Sequence, residues 1–248
     1  VLLPAVGRPL LALMVDRVRR ASRVGTVVLA TTVEPADDAI EALGRSLGVV
    51  TFRGHPTDCL DRHLRAARAL EAEVVVKIPS DCPLIDPGVI DRVLSSFLEN
   101  PERYDYVSNL HPESYPDGND VEVMSMKALE SAWLEARRPY EREHTTPFLW
   151  DQPDRFRLGA SIWETGLDLS RTFRWVLDYP EDYELIRTIY ERLSVHRPDF
   201  GLDDILTLMA REPRLADINR RHIGSQWYGH HVGELRTLKI SDPSEAGR

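Results

Sequence analysis

The chain has 248 residues, 42% hydrophobic and 29% charged, enough to bury a full core without disulfide staples as one α/β domain with at most a small appendage. Its 31 basic and 40 acidic residues leave a net charge of −9, which argues against broad binding to nucleic acid or anionic membrane, since both call for a basic surface. No run approaches the roughly 18 apolar residues of a membrane span, no basic-then-apolar leader opens the chain, and Cys59 and Cys82 give neither a disulfide framework nor zinc spacing, so a reduced, cytoplasmic protein without membrane insertion is expected.

In chain order, Pro9 suits a first helical turn, and Leu10, Met14 and Val18 recur at helical spacing. Thr26 to Thr31 is a short β-branched run, hence a buried strand. Ile40, Leu43 and Leu47 carry a helix ending near Gly48, and Val49 to Phe52 reads as a strand. Leu60, Leu64, Ala67 and Leu70 form one helical face, Val74-Val75-Val76 the most strand-like run, and Pro87 to Phe97 a helix. This β-α-β-α-β order predicts a parallel sheet with helices on both faces. Beyond it, 104–108, 120–124, 156–162 and 173–177 read as strands, and 126–137, 140–150, 181–193, 202–211 and 214–221 as helices. From Gly224 the pattern of Gly, His, Trp and Tyr has no period, which suits an irregular extension.

The chain has no GxGxxG, Walker loop, HExxH, paired CxxC or GxSxG. Its informative feature is acid at strand ends, because ligands of open α/β sheets bind beyond the carboxyl ends of the strands. Asp81 sits just past the strand that starts at Val74. A carboxylate there can hold Mg²⁺ against a nucleotide phosphate, or simply make a turn; Asp86, before Pro87, reads as a helix N-cap. Lys77 could reach a phosphate or pair with a carboxylate. A second strand ends on Asp178, with Pro180, Glu181 and Asp182 suited to the first turn of a helix. Two strand-end aspartates far apart in sequence can converge on one metal. Around the Asp117-Gly118 turn, Asp120 and Glu122 would share one face of a strand, as ligand groups or as a solvated polar face. Arg142 and His144 could grip an anionic group or belong to a salt-bridged helix surface. His230-His231 makes a poor chelate, because neighbours in a strand point to opposite faces.

Taken together, Gly7-Arg8-Pro9-Leu10-Leu11, Leu29-Ala30-Thr31-Thr32, Phe52-Arg53-Gly54 with Asp58-Cys59-Leu60-Asp61-Arg62, and Ser80-Asp81-Cys82-Pro83-Leu84-Ile85-Asp86 follow a familiar order. It continues with Tyr106-Val107-Ser108-Asn109, Tyr115-Pro116-Asp117-Gly118 with Asp120-Val121-Glu122-Val123, Arg142-Glu143-His144-Thr145-Thr146-Pro147 and Asp178-Tyr179-Pro180-Glu181-Asp182. Over about residues 1–220 the chain resembles the cytidylyltransferase family of CMP-sugar synthetases, in particular its spore-coat polysaccharide biosynthesis branch. It is more distantly similar to CMP-Kdo and CMP-acylneuraminate synthetases.

The resemblance implies a Rossmann-like nucleotidyltransferase: an α/β fold with a mixed, mostly parallel sheet, helices on both faces, a small mid-chain arm and commonly a homodimer. It divides the chain into a nucleotidyltransferase domain, 1–222, and a C-terminal extension, 223–248. It implies a Mg²⁺-dependent reaction in which CTP and a sugar hydroxyl give a CMP-sugar and pyrophosphate. Asp81 and Asp178 match the family's magnesium ligands and are the expected catalytic residues. Arg8, Ala30, Thr31, Thr32, Arg53, Arg62 and Ser80 match the nucleotide side, and Asp117, Asp120, Glu122, Arg142 and His144 the acceptor side. Relatives carry a strand and a loop of the type xxARxxSxRLPGK ahead of the stretch matching Val1-Leu2-Leu3, so the expectation is a sequence from which that strand and phosphate loop are missing. A non-catalytic binding or assembly module, or a nucleotide-sugar glycosyltransferase, is the alternative function; Asp81-Cys82-Pro83 lacks the DxD pattern common in the latter.

Overall fold

In the computed structural model, which describes residues 1–237, the chain opens on a hairpin of two-residue strands, β1 (Pro4–Ala5) and β2 (Arg8–Pro9). Helix α1 (Leu10–Arg20) starts directly after Pro9, as its missing N–H favours. There follow β3 (Val28–Thr32), α2 (Asp38–Ser46), β4 (Val50–Gly54), α3 (Cys59–Ala69), β5 (Val74–Lys77) and α4 (Pro87–Leu98). Asp86 caps α4 by accepting from the amides of Gly88 (2.8 Å) and Val89 (3.3 Å), and its other oxygen accepts from Leu202 N (2.7 Å). The chain continues through β6 (Tyr106–Ser108), β7 (Glu122–Ser125), α5 (Met126–Glu135), α6 (Pro139–His144), α7 (Pro147–Trp150), β8 (Leu158–Ala160), α8 (Pro180–Leu193) and α9 (Leu202–Arg211).

Three elements differ from expectation. The helix expected over 140–150 is two, because Thr145 adopts a φ of 73° and Pro147 cannot donate the next helical hydrogen bond. The stretch 214–221 breaks into 3₁₀ turns, Pro213–Asp217 and Arg220–His222. Residues 173–177 make no strand, only an isolated bridge between Asp117 and Arg174. Their amides go instead to two loops: Trp175 N donates to Asp117 O and Leu177 N to Asp81 O, each at 2.8 Å. Of the extension expected over 223–248, residues 238–248 lie outside the described residues.

The larger sheet runs β5-β7-β6-β8; β7 is antiparallel to both neighbours, and β6 and β8 are parallel. Alternate residues of a strand face opposite ways, and the two cores record it. Val107 and Val123 join the core built with α1, α4, α8 and α9, whereas Tyr106 and Met124 join the core built with α3, α5, α6 and α7. The mid-chain helices α5 to α7 thus pack on one face of the sheet. β3 and β4 form a separate parallel pair. β3 and β5 both line one cleft of about 1030 Å³, with apolar side chains of α1 (Leu11, Met14) and α3 (Ala66, Ala67) also in its walls, and the cleft continues to the loop after β5. Among the described residues no helix is long and apolar enough to cross a membrane.

Candidate functional site

The site is assembled by backbone hydrogen bonds between segments distant in sequence. β5 ends at Lys77 and the chain turns through Ser80 to Asp81, whose carbonyl accepts from Leu177 N. That bond brings Asp178 beside Asp81, and both line the cleft. Burial and the neighbouring Asp178 carboxylate push the Asp81 carboxyl above its ordinary 3.8. Asp178 accepts from Arg174 Nη2 at 2.5 Å but keeps 48% of its side chain exposed, so the ion pair does not seal it from ligand.

Arg174, a residue the sequence did not mark, organises these acids. Only 2% exposed, it also contacts Asp117 and Asp182, both at 3.3 Å. Asp182 does more than favour the start of α8. It accepts from the amides of Asp178 (3.1 Å) and Tyr179 (3.0 Å), and from Asn219 Nδ2 (2.8 Å) in full burial.

The Asp117–Asp120 turn is fixed by Asn119, which accepts from Asp86 N (3.1 Å) and donates to Pro116 O (3.2 Å). Burial pushes the carboxyls of Asp117 and Asp120 up; Arg174 opposes this at Asp117, and the surrounding carboxylates add to it. Gly118 has a φ of 103°, and a Cβ there would lie 2.8 Å from the carbonyl carbon of Trp175. Gly118→Ala is therefore expected to cost about 1–3 kcal/mol of stability, read as a lowered urea midpoint; an unchanged midpoint would show that this close approach is not tight.

Glu122 lies within β7, opposite Lys77 in the register. One carboxylate oxygen pairs with Lys77 Nζ and the other accepts from Tyr106 OH at 2.7 Å. Burial favours the neutral acid, but Lys77 and these hydrogen bonds win and hold Glu122 below its ordinary 4.5. Lys77 thus takes the carboxylate-pairing role of the two open to it.

Ala30, Thr31, Arg62, Ser80, Asp81, Asp117, Asp120, Glu122, His144 and Asp178 all line the one cleft. Four other expected residues stand outside its lining. Arg8 pairs with Asp16 at 2.6 Å. The Thr32 hydroxyl donates to Asp37. Arg53 pairs with Asp38 and Glu41. Arg142 grips Asp58 and the carbonyl of Trp133. His144 stacks on Trp227 with ring centroids 3.8 Å apart. The sequence also gave no sign that Glu113, His111 and Trp150, or the 225–228 segment, would reach this cleft. The one available signal was the aromatic content of the aperiodic tail.

Burial pushes His63 and His144 down to about 4 from an ordinary 6.5. Between those values the unfolded chain takes up protons that the fold refuses, so their contribution is complete above pH 6.5 and lost as pH falls through about 4. Thermal melts are expected to show stability falling over this window, and His63→Phe to flatten the fall; an equal slope in that variant would contradict it.

Among the described residues no group of three or more His, Cys, Asp or Glu side chains is placed to hold a metal. The Asp81–Asp178 pair nonetheless fits a hard divalent cation. Magnesium commonly takes one or two carboxylates and fills its shell with phosphate oxygens and water, and a cation would relieve the repulsion felt at Asp81.

The family model described as Cytidylyltransferase matches residues 1–197. The chain is 31% identical to an uncharacterized protein of Methanocaldococcus jannaschii, over 88% of this chain and 87% of that one. It is 27% identical to the spore coat polysaccharide biosynthesis protein SpsF of Bacillus subtilis, over 87% and 89%. A solved cytidylyltransferase from Leptospira borgpetersenii superposes with a TM-score of 0.81 at 28% identity, covering 87% of this chain and 88% of that one.

Proposed function

The chain belongs to the cytidylyltransferase family, and from that premise we propose that it transfers CMP from CTP to a hydroxyl of a sugar-like acceptor, with release of pyrophosphate, in the synthesis of a surface polysaccharide or glycan. The acceptor oxygen attacks the α-phosphorus and forms the new P–O bond. The bond from that phosphorus to its bridging oxygen breaks, pyrophosphate leaves with the electron pair, and the hydroxyl proton passes to solvent. Such transfers need positioning and charge neutralisation more than covalent help.

Asp81 and Asp178 would hold a divalent cation, which when bound neutralises phosphate charge and acidifies the attacking hydroxyl. Arg174 fixes the direction of Asp178 and ties it to Asp117, so the nucleotide and acceptor ends keep one geometry. Ala30, Thr31, Arg62 and Ser80 take the nucleotide side; Asp117, Asp120, Glu122 and His144 take the acceptor side. The observation that carries this reading is the meeting of Asp81 and Asp178 in one cleft, through the Leu177–Asp81 backbone bond.

The test is calorimetric titration with CTP and Mg²⁺, followed by a pyrophosphate-release assay against a panel of sugars. CTP binding and release of pyrophosphate with at least one sugar are expected. Sugar transfer from a UDP- or GDP-sugar without pyrophosphate release, or no affinity for CTP, would overturn the proposal.

A further inference from the structure

Residues 224–236 lie beyond the segment that the family model matches, yet Ser225, Gln226, Trp227 and Tyr228 line the cleft, at the end assigned above to the acceptor. Both ends of this strap are tied down. Arg174 Nη1 donates to Ser225 O (3.3 Å), and Gln226 Nε2 and Tyr228 OH both donate to Glu113 Oε1, at 2.9 and 2.7 Å. Further along, Arg138 donates to Glu234 O (3.2 Å), Leu235 is buried in the core beside α7, and Asp151 accepts from Arg236 N (2.7 Å). The ties present Trp227 to the cleft, stacked on His144 and near Trp150, with ring centroids 6.4 Å apart.

Among the described residues, Thr145 Oγ1, on a residue 0% exposed, and Gln226 Oε1 have no partner beside the strap. Buried polar atoms left alone cost about 1–3 kcal/mol each, so unpaired ones in a binding cleft point to ligand. Three of the cations lining the cleft, by contrast, are paired with carboxylates. Lys77 pairs with Glu122, Arg174 with three aspartates, and Arg23 with Glu99. Arg62, placed on the nucleotide side, is held by the carbonyls of His55 and Pro56 and by Cys59, has no carboxylate partner among the described residues and keeps its Nε unpartnered. Beside His144 and the strap the neighbouring cations, Lys77 and Arg174, are already paired, so an aromatic face and hydroxyl partners there suit a ring that bears hydroxyls and no carboxylate.

We propose that the strap is the acceptor-specificity element: Trp227 stacks on the apolar face of a neutral sugar ring, and Thr145 Oγ1 and Gln226 Oε1 bind its hydroxyls. This rests on the cytidylyltransferase reading and narrows its acceptor to sugars without an acid group. The experiment is saturation-transfer NMR on the full chain with CTP, using glucose, mannose and N-acetylglucosamine against glucuronic and galacturonic acids. Transfer to a neutral sugar is expected, weakened about tenfold by Trp227→Ala and by Thr145→Val and largely restored in Trp227→Phe, because only ring stacking is regained. CTP affinity, read by calorimetry on the same samples, stays level across these variants. Transfer to the uronic acids alone, to no sugar, or equally in wild type and Trp227→Ala would overturn the proposal. Loss of CTP affinity in the wild type would instead strike at the reaction itself.

Discussion

Asp81→Asn and Asp178→Asn are each expected to cut pyrophosphate release by about 10²–10³-fold or more, the loss typical when a group that stabilises transition-state charge is removed. The fold should not suffer with the activity. Asp81 is held where burial and Asp178 both oppose its charge, so its carboxylate works against folding at neutral pH. An amide of the same shape removes that repulsion. Asp81→Asn should therefore melt at the same temperature as the wild type or above it while losing turnover, the trade between stability and activity expected where an active site holds unfavourable charge. Urea unfolding alongside the assay separates the two. A variant that loses stability and activity together would assign Asp81 a structural role.

Arg174→Met carries the largest expected effect on stability. It leaves Asp182, 0% exposed, and Asp117 without their guanidinium. Removing one partner of a buried ion pair costs about 3–5 kcal/mol, because the other charge stays desolvated without its counter-ion. The bidentate Arg155–Glu135 pair is 41% and 48% exposed, and breaking it should cost about 1 kcal/mol or less. Equal urea midpoints for Arg174→Met and Arg155→Ala would contradict the organising role given to Arg174. Because Arg174 also holds Asp178, folded Arg174→Met should turn over slowly.

What the sequence disclosed was local, and what it concealed was contact between distant segments. The first helices and strands were legible because Leu10, Met14 and Val18 or Val74-Val75-Val76 carry their period within a few residues. Asp86 was legible as a cap because capping is settled by the next two amides. Residues 173–177 have strand composition, yet their amides pair with Asp81 and Asp117, far away along the chain. No period could show that, and the same bonds conceal why Arg174 sits among three aspartates.

Asp81 follows a strand as expected, whereas Asp178 reads as the end of a strand, 173–177, that does not form; the order of the family-like segments points to both, and Asp81, Asp178, Asp117 and Asp120 share the cleft. Of the four candidate arginines, Arg62 lines the cleft and three do not. Arg8, Arg53 and Arg142 each satisfy a nearby carboxylate outside the cleft. A guanidinium on a long flexible stem takes whichever carboxylate its fold brings close, so its chain position says little about which way it points. The strap was missed for a related reason: its place depends on Glu113, Arg138 and Asp151, none of which is near it in sequence.

Manganese binding, followed by electron paramagnetic resonance in the presence of CTP, asks whether the carboxylates at 81 and 178 grip one ion together. One Mn²⁺ should bind per chain, and its affinity should fall by about tenfold or more in Asp81→Asn and in Asp178→Asn alike. Unchanged affinity in either variant would mean that the two carboxylates do not share an ion.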